Sequence, residues 1–118
     1  MGGNRIEFFY DLSSPWTYIA FHNLAGVMER TGASVRLRPI LVGGVFNAVN
    51  PSVYAARESA DNPKFKHSWR VMKDWAALAG IEINFPSAFH PAKSINAMRM
   101  ACTLEGDQQA LTNFTRAA

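Results

Sequence analysis

The chain has 118 residues, 48% hydrophobic and 18% charged, with a net charge of +3; this fits one globular unit or part of one. No apolar run approaches the roughly 20 residues that span a bilayer, and Met1-Gly2-Gly3-Asn4-Arg5 lacks the apolar core of a secretion signal, so a cytoplasmic location away from membranes is expected. Cys102 is the only cysteine, which excludes an internal disulfide and a thiolate metal cluster; it is expected as a small core residue. The opening Met-Gly is not a myristoylation signal, because position 6 is Ile rather than Ser or Thr. Basic residues are spread along the chain apart from Lys64, Lys66, Arg70 and Lys73, which read as a solvated helix face rather than a nucleic-acid surface.

In chain order, Ile6 to Tyr10 is an apolar run of strand type. Ser14-Pro15 then gives an N-cap followed by proline at the first helical position. Trp16, Ile19, Ala20, Leu24, Val27 and Met28 follow at the spacing of one helical face. His22, Asn23, Glu29 and Arg30 occupy the opposite face, and Gly32 closes the helix. Ser34 to Ile40 alternates at period two, which predicts a second strand parallel to the first across a right-handed crossover.

Leu41 to Asn47 reads as a glycine-containing loop, and Asn50-Pro51 as a second helix start, with a short helix over Ser52–Ser59. After the turn cluster Asp61-Asn62-Pro63, the residues Trp69, Met72, Trp75, Ala76 and Ala79 mark one face of a longer helix ending at Gly80. Ile81 to Phe85 is an extended connector cut short by Pro86, and Phe89-His90-Pro91 is a turn. A helix carrying Ile95, Met98, Cys102 and Glu105 ends at Gly106, and Asp107 caps a final helix running through Arg116. His22, His67 and His90 share no metal-ligand spacing.

A βαβ start followed by helices leaves only two strands. Two strands do not make an independently stable sheet, and their edges would stay unpaired. A fragment of a longer protein, or a sheet completed by association with another chain, is therefore expected.

In a thioredoxin-like fold the first helix opens on Cys-x-x-Cys, where the helix dipole lowers a thiol pKa. Here those four positions read Ser14-Pro15-Trp16-Thr17, so disulfide exchange is excluded, while a thiolate brought from outside would still be stabilised. Phe9-Tyr10-Asp11-x-x-Ser14-Pro15-x-x-Tyr18 resembles the opening of the DsbA-like branch that contains 2-hydroxychromene-2-carboxylate isomerases and kappa-class glutathione transferases. The likeness continues through Arg38-Pro39-x-Leu41-x-Gly43-Gly44-Val45-Phe46, the helix with Lys64 and Trp75, Phe85-Pro86, and Pro91-x-x-Ser94-Ile95-x-Ala97-Met98-Arg99.

The resemblance implies an α/β fold: a thioredoxin-like βαβ part over residues 1–45, then an all-helical insertion over 46–118 that is incomplete, with the remaining strands and a cis-Pro loop beyond it. It implies glutathione as cofactor, a small aromatic substrate and a homodimer, with Ser14 donating a hydrogen bond to the glutathione sulfur. The thiolate adds to a conjugated substrate carbon, the chromene ring opens, the freed carbon–carbon bond rotates, and elimination returns glutathione. Ser14 can cap the helix and donate to sulfur at once; Ser13 is the weaker candidate. Asn50 matches a residue near the substrate, and is equally an ordinary helix start. Lys64 matches a residue associated with a glutathione or substrate carboxylate, with Lys66 as its rival. Trp16 and Phe46 are candidate walls of an aromatic pocket, or core packing. A kappa-type transferase, a non-catalytic thioredoxin-like binding module and an inactive fragment are the alternatives.

Overall fold

Period-two alternation of apolar side chains is what a half-covered strand requires, and both expected strands form. In the computed structural model, which describes residues 3–50, 61–84, 88 and 92–118, β1 (Arg5–Tyr10) and β2 (Ser34–Pro39) pair in parallel from Arg5 opposite Ser34 to Tyr10 opposite Pro39. This register puts Ile6, Phe8, Tyr10, Val35, Leu37 and Pro39 on one face. Arg5, Glu7, Phe9, Arg36 and Arg38 share the other, where Phe9 remains 54% exposed.

Between the strands runs α1 (Pro15–Thr31), capped by Ser14 and closed by Gly32 at φ 68°, a left-handed conformation that glycine adopts without a Cβ penalty. Among the described residues the later helices are α2 (Val42–Val49), α3 (Pro63–Ala79), α4 (Ile95–Thr103) and α5 (Gln108–Ala117). Asn62 caps α3 through its side chain, Gly80 closes it at φ 74°, and the Asp107 side chain caps α5 by accepting from Ala110 N–H. The expected helix over Ser52–Ser59, and the Phe85-Pro86 and Phe89-His90-Pro91 turns, lie outside the described residues.

Three readings change. Leu41 to Asn47 is mostly helix rather than loop. The first N–H of α2, on Val42, is taken by Asp11 Oδ2 at 2.9 Å, a cap supplied from 31 residues upstream. The boundary expected between residues 45 and 46 falls inside this helix. Second, Cys102 is exposed: α4 buries Met98 and Ala101, and the next residue is turned about 100° away from that face. Third, the buried side of α1 is narrower than its apolar stripe. Ile19 is buried, whereas Trp16 is 42% exposed.

Two apolar clusters hold the elements. Tyr10 and Leu37 of the sheet pack with Met98, Ala101 and Leu111 of α4 and α5, with Phe8 and Phe21 against them. Ile19 of α1 packs on Met72 and Ala76 of α3. Inside the first cluster the Tyr10 hydroxyl hydrogen-bonds Thr115 Oγ1 at 2.6 Å.

The two sheet edges differ. Ser34 N–H donates to Asn4 O and Ile40 N–H to Tyr10 O. By the alternation of a parallel ladder, Val35, Leu37 and Pro39 turn their peptide groups to the outer edge of β2, and Arg5, Glu7 and Phe9 theirs to the outer edge of β1. Gln108 closes the β2 edge: its Oε1 accepts from Leu37 N–H at 2.8 Å, and its Nε2 donates to Leu37 O at 3.2 Å and to Glu105 O at 2.9 Å. Pro39 has no N–H to offer, and Arg38 is pinned to Glu105 at 3.1 Å. Among the described residues no strand pairs with β1 on its other side.

Candidate functional site

The sheet delivers its first strand to a tight turn. Ser13 N–H donates to Asp11 Oδ1 at 2.9 Å, an Asx turn, and Ser14 N–H donates to Asp11 O at 3.1 Å. The chain then enters α1 with Ser14 extended at φ −93°, ψ 119° and Pro15 in the first turn. Ser14 Oγ accepts from Thr17 N–H at 3.3 Å. With the oxygen engaged as acceptor, the hydroxyl proton is left to donate outward. The first turn of α1 carries no acidic side chain, so its positive dipole end is not offset within the helix.

Ser14 is half-buried and lines a cavity of about 860 Å3. Thr17, Tyr18 and His22 of α1 share that wall, Leu37 contributes from β2, and Thr112 and Arg116 of α5 stand among the other lining residues. Trp16, Phe46, Asn50 and Lys64 are not among its lining residues. Trp16 faces solvent from the first turn of α1, and Phe46 is half-buried on α2. Asn50 ends α2 as its C-cap, its N–H donating to Phe46 O at 2.8 Å. Lys64 is exposed in the first turn of α3, its backbone N–H held by Asn62 Oδ1 at 2.9 Å. Lys66, the alternative to it, pairs with Asp61 at 3.3 Å on the surface. The structure thus gathers Ser13, Ser14, Thr17, Tyr18 and His22 around one opening.

Asp11 is the residue that local reading passed over. It is 1% exposed, and besides Ser13 N–H it accepts from Val42 N–H at 2.9 Å and from Ser94 Oγ at 2.6 Å. Burial pushes its carboxyl pKa up, but the hydrogen bonds from Ser94, Ser13 and Val42 outweigh this and hold it below the ordinary aspartate value, so the group is a carboxylate. Ser94, the N-cap of α4, donates its hydroxyl to Asp11 and makes no cap hydrogen bond of its own, its backbone lying in the helical region at φ −90°, ψ 0° rather than the extended one. The Asp-x-Ser spacing signals the turn; partners 31 and 83 positions away leave no local trace.

Tyr10 responds differently. Burial dominates and raises its phenol pKa, with the Thr115 hydrogen bond opposing, which keeps it neutral and structural. No described helix is long and apolar enough to cross a membrane.

The family model for the DSBA-like thioredoxin domain matches residues 5–118. A curated relative, a 2-hydroxychromene-2-carboxylate isomerase from Sphingobium xenophagum, is 31% identical over 84 residues, covering 71% of this chain and 42% of the relative. The chain therefore matches less than half the length of that protein. No solved structure matches.

Proposed function

Because the chain belongs to the DSBA-like thioredoxin domain family, we propose that it acts as a glutathione-dependent isomerase on 2-hydroxychromene-2-carboxylate or a similar aromatic-degradation intermediate, with Ser14 holding the thiolate. The observation that carries this reading is the state of the Ser14 hydroxyl: its oxygen is engaged by Thr17 N–H, so its proton is free for an acceptor at the N-terminus of α1. A thioredoxin-type position with no sulfur of its own is suited to a sulfur supplied from outside, and a hydrogen bond to the charged form lowers a thiol pKa. Glutathione, when bound, supplies a nucleophilic thiolate that is returned at the end of the cycle. The chain's contribution is to keep that sulfur ionised and oriented: Ser14 donates to it, and the dipole of α1 favours its charge. The name of the relative from Sphingobium xenophagum, a 2-hydroxychromene-2-carboxylate isomerase, supports the choice of substrate class. In this reading Asn50, Trp16 and Phe46 meet the aromatic substrate and Lys64 a carboxylate. A further strand, from the same chain or a second copy, completes the sheet along β1.

The test is a chromene carboxylate isomerisation followed by absorbance with and without glutathione. Turnover should require glutathione without consuming it; consumption would instead mark a transferase acting on electrophiles. Ser14→Ala should raise the thiol pKa of bound glutathione by about one unit and lower kcat/KM at neutral pH about tenfold. An absence of both glutathione-dependent turnover and any thermal shift with glutathione would leave a non-catalytic binding module.

A further inference from the structure

Three helix N-termini that are far apart in sequence meet at one buried carboxylate. Asp11 lies three residues before Ser14, the cap of α1; it takes the N–H of Val42, the first residue of α2, and the hydroxyl of Ser94, the cap of α4. A turn after β1 needs one of these bonds, the one to Ser13 N–H. The other two fasten that turn to elements contributed by the helical part of the chain. Leu12 N–H, between Asp11 and Ser13, points to Met98 Sδ of α4 at 3.3 Å, so the same turn is held to α4 twice.

We propose that Asp11 is the positioning residue of the thiolate site, clamping the Ser13-Ser14 segment against the N-termini of α2 and α4 so that the Ser14 hydroxyl is held toward the sulfur. The inference rests on the reading of Ser14 as the thiolate's donor. It adds that the orientation of Ser14 is set from outside its own helix, by Val42 and Ser94.

The charge on Asp11 opposes the arrangement it supports, since a carboxylate near a thiolate disfavours the second anion. Three donors and the ends of α2 and α4 offset that charge. It follows that Asp11→Asn acts in two directions: losing the anion lowers the thiol pKa, whereas losing the clamp raises it. Asparagine also turns a donor toward Val42 N–H or Ser94. Ser94→Ala changes no charge and removes one donor from the clamp, so it isolates positioning.

The experiment compares Ser94→Ala, Ser94→Thr, Asp11→Asn and Ser14→Ala, with folding of each checked by circular dichroism. Amide hydrogen exchange at Ser13 and Val42 is read without ligand, and the thiol of bound glutathione is titrated by thiolate absorbance. Ser94→Ala should speed exchange at both amides about tenfold, the effect of losing one hydrogen bond to a charged group. It should also raise the thiol pKa part of the way to its value in Ser14→Ala, and Ser94→Thr should restore both. If the unaltered protein leaves glutathione at its solution pKa, the reading of Ser14 fails and the inference falls with it. If the unaltered protein lowers that pKa and Ser14→Ala reverses the lowering, while a folded Ser94→Ala moves neither readout, the clamp is overturned and the reading of Ser14 stands.

Discussion

Replacing Gln108 by leucine tests whether the outer edge of β2 is closed by a side chain. The substitution keeps roughly the volume and removes three hydrogen bonds, at 2.8, 3.2 and 2.9 Å. Leu37 is 3% exposed, so its N–H beside a leucine meets the penalty of a largely buried donor without a partner, about 1–3 kcal/mol. Its carbonyl and that of Glu105 each lose a donor, while the extra apolar contact of leucine returns roughly 1 kcal/mol. The net expectation is a loss of about 2–3 kcal/mol, read as a shift in the urea midpoint at unchanged slope. The Leu37 amide should lose its protection from exchange. Gln108→Glu sharpens the test, because a carboxylate still accepts from Leu37 N–H but faces two carbonyls with nothing to donate. Protonation restores a donor, so the folded-state pKa of that glutamate is raised, and the stabilising effect of its proton is lost as pH rises through it; the deficit relative to glutamine should shrink in acid. A Gln108→Leu protein within about 0.5 kcal/mol of the original, with its Leu37 amide still protected, would refute the argument that Gln108 closes this edge.

Acid should expose the role of Asp11. Its folded-state pKa is depressed, so its contribution is fully present above the unfolded value and is lost as pH falls below about 4; Asp11→Asn should flatten that part of the stability profile, as followed by thermal denaturation from pH 6 to pH 2.5. The open edge of the sheet has its own readout. If a strand from the same chain or a second copy pairs along β1, the amides of Arg5, Glu7 and Phe9 are protected from exchange, and rapid exchange at all three would place the completion of the sheet elsewhere.

Much of the backbone was legible because its signals are local. Ser14-Pro15 starts α1, Gly32 and Gly80 end helices in the left-handed conformation, Asp107 caps α5, and the alternation from Ser34 sets β2. Where the deciding contact is distant, the sequence misleads. Gly43-Gly44 argues for a loop, and α2 forms there with Asp11 capping it from across the fold. Apolar type likewise does not settle orientation: Trp16, Trp75 and Cys102 sit in helices with a buried side, yet all three are exposed, because the packed faces are set by Ile19, Met72, Ala76, Met98 and Ala101. Ser14 stood out from its own neighbourhood, since cap, proline and missing cysteine lie within four residues. Asn50, Lys64, Trp16 and Phe46 do not line the cavity beside Ser14, and no spacing within the chain encodes how their helices lie relative to it.

The asymmetry of the two sheet edges bears on the site itself. Ser14 lies four residues past the end of β1, so whatever faces it must arrive close to that end. Neighbouring strands are about 4.8 Å apart: a strand added beside β1 delivers its end one spacing from Tyr10, whereas a strand added beside β2 lies two spacings away, about 10 Å. Gln108, Pro39 and the Arg38–Glu105 pair close the farther edge and leave the nearer one available. If a further strand completes the sheet as proposed, the open edge is therefore the one beside β1, the side nearer Ser14. The cation–π contact of Arg38 over the Phe9 ring, 5.8 Å to the centroid, works in the same sense. It ties the guanidinium to the exposed face of β1 while Glu105 holds it from the β2 side, so closing one edge braces the strand that presents the other.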